Sequence, residues 1–263
     1  MAKDLTPLIK DFNVEAGTVR ARKITGGDGQ AFLQLRMDLG LLQMTIEGRP
    51  DGSRPGGHPS LLESIQSRLT PNSGPVELSQ EELGELVREM LQYYRRRVTW
   101  MALAKQAQLE SALGDAESSY TNAIRDAEHN LAILDLFARL HVDLDMLEEQ
   151  EQYRPFILMH RAVCQAERAL LEQDPDAAIE YLQTAALDIH RCQADEEAEQ
   201  SEDAEDVKPF LHEIRRFEKQ IRKKYHRRRT LREQLDDAVA REDFERAARL
   251  RDALAERTRH RPG

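Results

Sequence analysis

Residues 231–257, LREQLDDAVAREDFERAARLRDALAER, read as two short helices whose shared apolar face is too large to leave in water. Leu231, Leu235 and Val239 recur at i, i+4 and i+8, one stripe of a helix. Asp243 is placed to cap a second helix, and Glu245 lies in its first turn, where the helix dipole favours an acid. Phe244, Ala247, Ala248, Leu250, Arg251 and Leu254 form the facing stripe, and the paired alanines let two backbones approach closely. Chains below about 40 residues usually need a staple or a partner to stay folded. The stretch therefore reads as a docking element, with those nine side chains as its partner-binding surface. The alternative is that it folds back onto its own domain.

The run L-x-x-Q-L-x-x-A-V-A-x-E-D-F-E-x-A-A-R-L-R-D-x-L resembles the UVR motif, shared by the UvrB and UvrC subunits of bacterial excision repair. The residues that carry the resemblance are Leu231, Gln234, Leu235, Ala238, Glu242, Asp243, Phe244, Glu245, Ala247, Ala248, Arg249, Leu250, Arg251 and Asp252. A similar motif occurs in some Clp chaperone subunits and in protein arginine kinase activators. The resemblance implies a protein–protein contact in which the hairpin pairs with another UVR hairpin, in some cases with DNA nearby. It covers about a tenth of the chain, and it leaves partner and pathway open. No G-x-x-x-x-G-K-[ST] loop is present, so the helicase chemistry of the repair ATPases is not expected. Cys164 and Cys192 are the only cysteines and form no C-x-x-C pair, so the zinc modules of the kinase activators are not expected either.

The remaining sequence reads as mainly α, with a small N-terminal antiparallel β module, a tetratricopeptide-like helical-hairpin middle and the UVR hairpin. In residues 1–47, VRARKI, GGDG, AFLQLRM and LGLLQMTI spell strands with a glycine turn, and Ala31, Leu33, Leu35 and Met37 alternate with Phe32, Gln34 and Arg36, as in a strand with one buried face. Residues 48–78 form a linker with a short helix near 60–68. Its GRPDGSRPGGHP string reads as a connector, although Arg49 and Arg54 offer possible anion contacts. Residues 79–194 turn helical. Ser79 with Glu82 fits a capping box. One buried stripe runs through Leu83, Leu86, Val87, Met90, Leu91, Tyr94, Val98, Met101 and Ala102. Gly114-Asp115 breaks it, and Tyr120, Ala123, Ile124, Ala127, Leu131, Leu134 and Phe137 restart it. An acidic bend is expected near 143–151, then a helix pair turning at Asp174-Pro175, which resembles a tetratricopeptide-type pair in its small Ala178 and Ala185 and its large Tyr181. The spacing is too irregular for a repeat array.

Charge is segregated. The chain carries a formal net charge of −10, which argues against coating nucleic acid. Asp195 to Asp206 holds eight acids and no base, and reads as a flexible linker. Within residues 207–263, Arg215 to Arg232 then holds ten Lys or Arg against one Glu, above an apolar stripe of Phe210, Ile214, Phe217 and Ile221, and reads as one amphipathic basic helix that runs into the UVR hairpin. Arg222, Lys223, Lys224, Arg227, Arg228 and Arg229 are thus candidate phosphate contacts. The other reading is a solvated helix whose charges offset the acids upstream.

Catalytic patterns are missing. His141, Asp143 and Asp145 make an incomplete ligand set, and no H-E-x-x-H run or G-x-S-x-G elbow occurs. No cofactor, metal or catalytic residue is expected, and no leader or membrane span is visible. The sequence reads as a cytoplasmic, bacterial-type, non-enzymatic adaptor in proteostasis or DNA repair. It docks itself or another UVR hairpin in a four-helix, coiled-coil-like arrangement. The alternative is a nucleic-acid-associated accessory protein that uses residues 215–229.

Overall fold

The computed structural model describes residues 6–10, 12–15, 17–38, 40–69, 77–140, 142–198 and 207–259. The chain divides into two compact units, Met1–Cys164 and Gln165–Gly263. The fold is mainly α with a small N-terminal antiparallel sheet. After a short helix α1 (Thr6–Lys10), strands β1 (Arg20–Thr25), β2 (Ala31–Met37) and β3 (Gly40–Thr45) pair in sequence order. Leu33 stands opposite Lys23 and Met44, and Leu35 opposite Ala21 and Leu42. Leu33, Leu35, Ala21 and Met44 are buried, as alternation requires. Gln34, on the other face, is buried too. It joins Arg22 (2.7 Å) and Gln43 (2.9 Å) in a polar ladder across all three strands. The β1–β2 turn places Gly29 at φ +83, a region that side chains with a Cβ avoid.

The 48–59 loop is not a free connector. Arg49 is only 5% exposed and donates to Glu85 at 2.7 Å. It also lies 3.5 Å from Asp51 and from the fully buried Glu89. Glu89 accepts from the backbone N–H groups of Leu61 and Leu62 (2.8 and 3.2 Å), the first turn of α2 (Leu61–Arg68). Gly48 has φ +66, and its carbonyl accepts from Tyr93 (3.1 Å) and Arg96 (2.7 Å). A glycine- and proline-rich string is thus fastened to a helix by buried charge, a cost that only satisfied ion pairs offset.

That helix is α3 (Gln80–Leu109), paired in a hairpin with α4 (Leu113–Arg139). The Ser79–Glu82 capping box starts α3 as expected. Leu83, Leu86 and Met90 are buried as expected, but beyond them the stripe is rotated: Tyr93, Trp100, Ala104 and Ala107 are buried, whereas Leu91 is exposed and Val87, Tyr94, Val98, Met101 and Ala102 are half-buried. The cause is ionic. Arg96 lies in the interface with both Nε and Nη2 on the Asp126 carboxylate at 2.8 Å. The stripe foreseen on α4 is buried throughout. Its helix begins at Leu113, so the break falls before Gly114, not at it.

The expected acidic bend is the two-turn helix α5 (Leu144–Glu151). Then α6 (Arg154–Leu171) runs across the division between the units. In the second unit, α7 (Pro175–Ala198) is capped by Asp174, which accepts from Ala177 N–H at 2.9 Å. The helix carries on through Asp195–Ala198, the start of the expected linker; residues 199–206 lie outside the described residues. Helix α8 (Lys208–Lys224) buries Leu211, Ile214 and Ile221 and packs on α7; α9 (Leu231–Ala240) and α10 (Phe244–Arg259) pair as a terminal hairpin.

Candidate functional site

Two caps and one turn build the hairpin. Thr230 accepts from Glu233 N–H (3.1 Å) while the Glu233 carboxylate accepts from Thr230 N–H (2.6 Å), a reciprocal box that starts α9. Helix α9 ends with Glu242 at φ 57, and Asp243 N–H reaches back to Ala238 C=O at 2.9 Å. Asp243 then caps α10, accepting from Arg246 N–H at 3.1 Å.

The seam between the helices is closed by small residues: Ala238 and Ala247 are 2% and 8% exposed. The nine side chains assigned to the two stripes separate into groups. Leu231, Leu235, Ala248, Leu250 and Leu254 are half-buried. Val239 and Phe244, which flank the turn, are 53% and 69% exposed, and Arg251 is exposed. The buried position of α9 is therefore Ala238, one residue before the expected Val239. Two alanines bring the backbones close, and Val239 and Phe244 turn outward.

The opposite end of the hairpin is fastened by charge. Arg257 donates to Glu180 at 2.6 Å and lies 3.7 Å from Asp174 and 3.9 Å from Asp176. Burial works against its charge, but the bond to Glu180 and the three carboxylates outweigh it, so the guanidinium is held above its ordinary range. At the base of α9, Arg222 bridges Glu218 (2.7 Å) and Glu233 (2.6 Å), and Gln183 of α7 donates to both acids. Burial pushes the Glu233 carboxyl up, yet the bonds from Arg222, Gln183 and Thr230 bring it below its ordinary value.

The basic run does not lie on one helix. Helix α8 stops at Lys224; His226 takes φ 53, and Arg227 N–H closes onto Arg222 C=O at 3.0 Å. Arg227, Arg228 and Arg229 therefore occupy the turn before α9, which the Thr230 box begins. Arg227 lies 3.2 Å from Asp176, and Arg229 3.0 Å from Asp237. Lys224 sits over the Tyr225 ring, and Lys223 and Arg228 are exposed. Of the anion contacts considered in the 48–59 loop, Arg49 is buried in ion pairs and Arg54 is exposed. Asp143 and Asp145 open α5, and His141 lies outside the described residues.

No helix among the described residues is long and apolar enough to cross a membrane. No curated protein and no solved structure matches the chain. Residues 227–256, from the turn before α9 into α10, match the family model of the UvrB/uvrC motif, UVR, so the C-terminal hairpin carries a small interaction motif and not a catalytic domain.

Proposed function

We propose that this chain is a non-enzymatic adaptor, cytoplasmic and of bacterial type, that docks a second UVR-type hairpin through the turn end of its own. The observation that carries the reading is the pairing of Val239 and Phe244, both exposed, on a hairpin held to α7 and α8 at its other end. Single exposed apolar residues are ordinary. Two large ones flanking a tight turn, above an alanine seam, offer an anchor that a partner helix pair can cover. The second hairpin comes from another copy or from another protein of proteostasis or DNA repair, and four helices then share one core.

The nucleic-acid reading ranks second. Carboxylates of the same unit occupy Arg222, Arg227 and Arg229, so three of the six candidate cations must leave an acid before reaching a phosphate. The test is sedimentation and affinity capture of the full chain, with nuclease added, comparing wild type with Phe244→Asp. Nuclease-resistant capture of a UVR-bearing protein, or self-association, lost in Phe244→Asp is expected. Equal mass and equal capture in the two proteins would overturn the assignment, and tight nucleic-acid retention at about 150 mM salt would put the second reading first.

A further inference from the structure

The first unit buries a cation that no acid holds. Arg97 is 1% exposed, and its Nε and Nη1 have no hydrogen-bond partner. The carboxylate whose charge reaches it is that of Asp126, and both oxygens of that group are already taken by Arg96 at 2.8 Å. The other groups that act on it, Cys164 and Tyr94, are weak acids. Arg97 lies over the Tyr94 ring at 5.5 Å; Tyr94 meets Phe156 at 5.8 Å, and Phe156 meets His160 at 4.2 Å. A chain of tilted ring contacts thus joins α3 to α6. One turn along the same face of α3, the buried indole of Trp100 has a second N–H without a partner.

A buried guanidinium loses its water and recovers that cost only from an acceptor. Here aromatic rings lie nearest, and no acceptor meets Nε or Nη1. Burial, with the charges of Arg97 and Lys105, pushes the His160 imidazole down to about 3, so it stays neutral at physiological pH. Burial lowers Arg97 to about 10, still high enough to keep it charged. The ring cluster therefore carries one buried positive charge, which a singly charged anion would neutralise.

We propose that the α3–α6 interface within residues 1–164 is a binding site for a small carboxylate, whose oxygens accept from Arg97 and from the indole N–H of Trp100. A single unpaired charge favours a carboxylate over a phosphate dianion, and two donors on separate residues favour an oxyanion over a halide. This site stands apart from the hairpin and does not depend on its reading.

Trp100 is the chain's single tryptophan, so one indole N–H resonance reports the site directly. The full-length protein is titrated with sodium formate, and separately with sodium chloride and sodium phosphate at equal ionic strength. Formate is expected to move the indole resonance saturably and to raise the thermal midpoint. Arg97→Met, which keeps the length of the side chain without its charge, is expected to lose both responses; Trp100→Phe is expected to weaken the thermal one. The proposal is overturned if formate acts no differently from chloride on the wild type, or if phosphate alone saturates the shift. It is also overturned if Arg97→Met responds to formate as the wild type does. The wild-type titration decides the matter even if a variant fails to fold.

Discussion

Arg257→Met removes the charge that holds the end of α10 to α7 while keeping most of the aliphatic stem. Three carboxylates share that guanidinium: Glu180 at 2.6 Å, Asp174 at 3.7 Å and Asp176 at 3.9 Å. All four side chains are mostly but not wholly buried. Exposed ion pairs contribute about 0–1 kcal/mol, whereas removing one partner of a fully buried pair costs about 3–5 kcal/mol. An intermediate environment with one strong bond and two longer contacts places the loss near 2 kcal/mol. Arg227 remains beside Asp176 and limits the repulsion left behind. At about 1.4 kcal/mol per factor of ten, the opening equilibrium of α10 shifts by about thirty-fold.

Native-state hydrogen exchange reads that shift directly, because local opening sets the rate of each protected amide. Amides in α10 are expected to exchange about thirty-fold faster in Arg257→Met, with those of α3 and α4 unchanged. The difference should narrow in high salt, which screens the exposed side of the cluster in the wild type. Unchanged exchange in α10 at low salt would refute the reasoning: the alanine seam alone would then hold the hairpin, and the acids of α7 would be bystanders.

Acid should act at the base of the same hairpin. Glu233 is held below its ordinary value when folded, so its contribution is complete above about pH 4.5 and fades as pH falls through the folded value; loss of the α9 helix signal in an acid titration, absent in Glu233→Gln, checks this. Arg49→Met should cost about 2–3 kcal/mol by taking a cation from the buried Glu89 and leaving Glu85 with Arg88 alone, whereas Arg54→Ala should stay within about 0.5 kcal/mol; denaturant midpoints separate the two. Gln173→Gly and Glu242→Gly relieve positive φ angles of 60 and 57, so each should gain up to about 1 kcal/mol and raise the thermal midpoint. A fall in either would mean that the side chain does more than tolerate its backbone.

Helix starts were legible because caps are written in the side chains. Ser79 with Glu82 and Asp243 bond as read, and Asp174, read as a turn, caps α7 as well. Helix ends were not. Ser111, Gln173, His226 and Glu242 each take positive φ, and in each case the following N–H closes back onto the helix: Ala112 to Ala107, Asp174 to Ala169, Arg227 to Arg222 and Asp243 to Ala238. Glycine usually marks that position, and its absence here made the basic run look like one helix to Arg229. Periodicity also hides buried charge. Arg96 and Arg97 stand outside the apolar stripe that periodicity picks out, and Asp126 lies 30 positions from Arg96. The hint available for Arg49 was the pair Glu85 and Glu89, one turn apart beside the buried Leu86. For the hairpin, spacing admitted both Ala238 and Val239; only close backbone packing selects the smaller.

The two ends of the hairpin respond to salt in opposite ways. Ion pairs of Arg257, Arg222 and Arg227 with the acids of α7, α8 and α9 weaken as ionic strength rises. Burial of Val239 and Phe244 against a partner does not depend on counterions, and excluded salts such as sulfate strengthen it. On the proposed reading, salt therefore loosens the hairpin from its own chain while leaving its docking end competent. A phosphate contact through Lys223, Lys224 and Arg228 behaves otherwise: its affinity falls steeply over the same range. Partner capture that holds or rises between about 50 and 200 mM salt while nucleic-acid retention falls fits only the apolar anchor. A parallel fall of both would assign the two activities to the same cations and remove Phe244 from the centre of the interface.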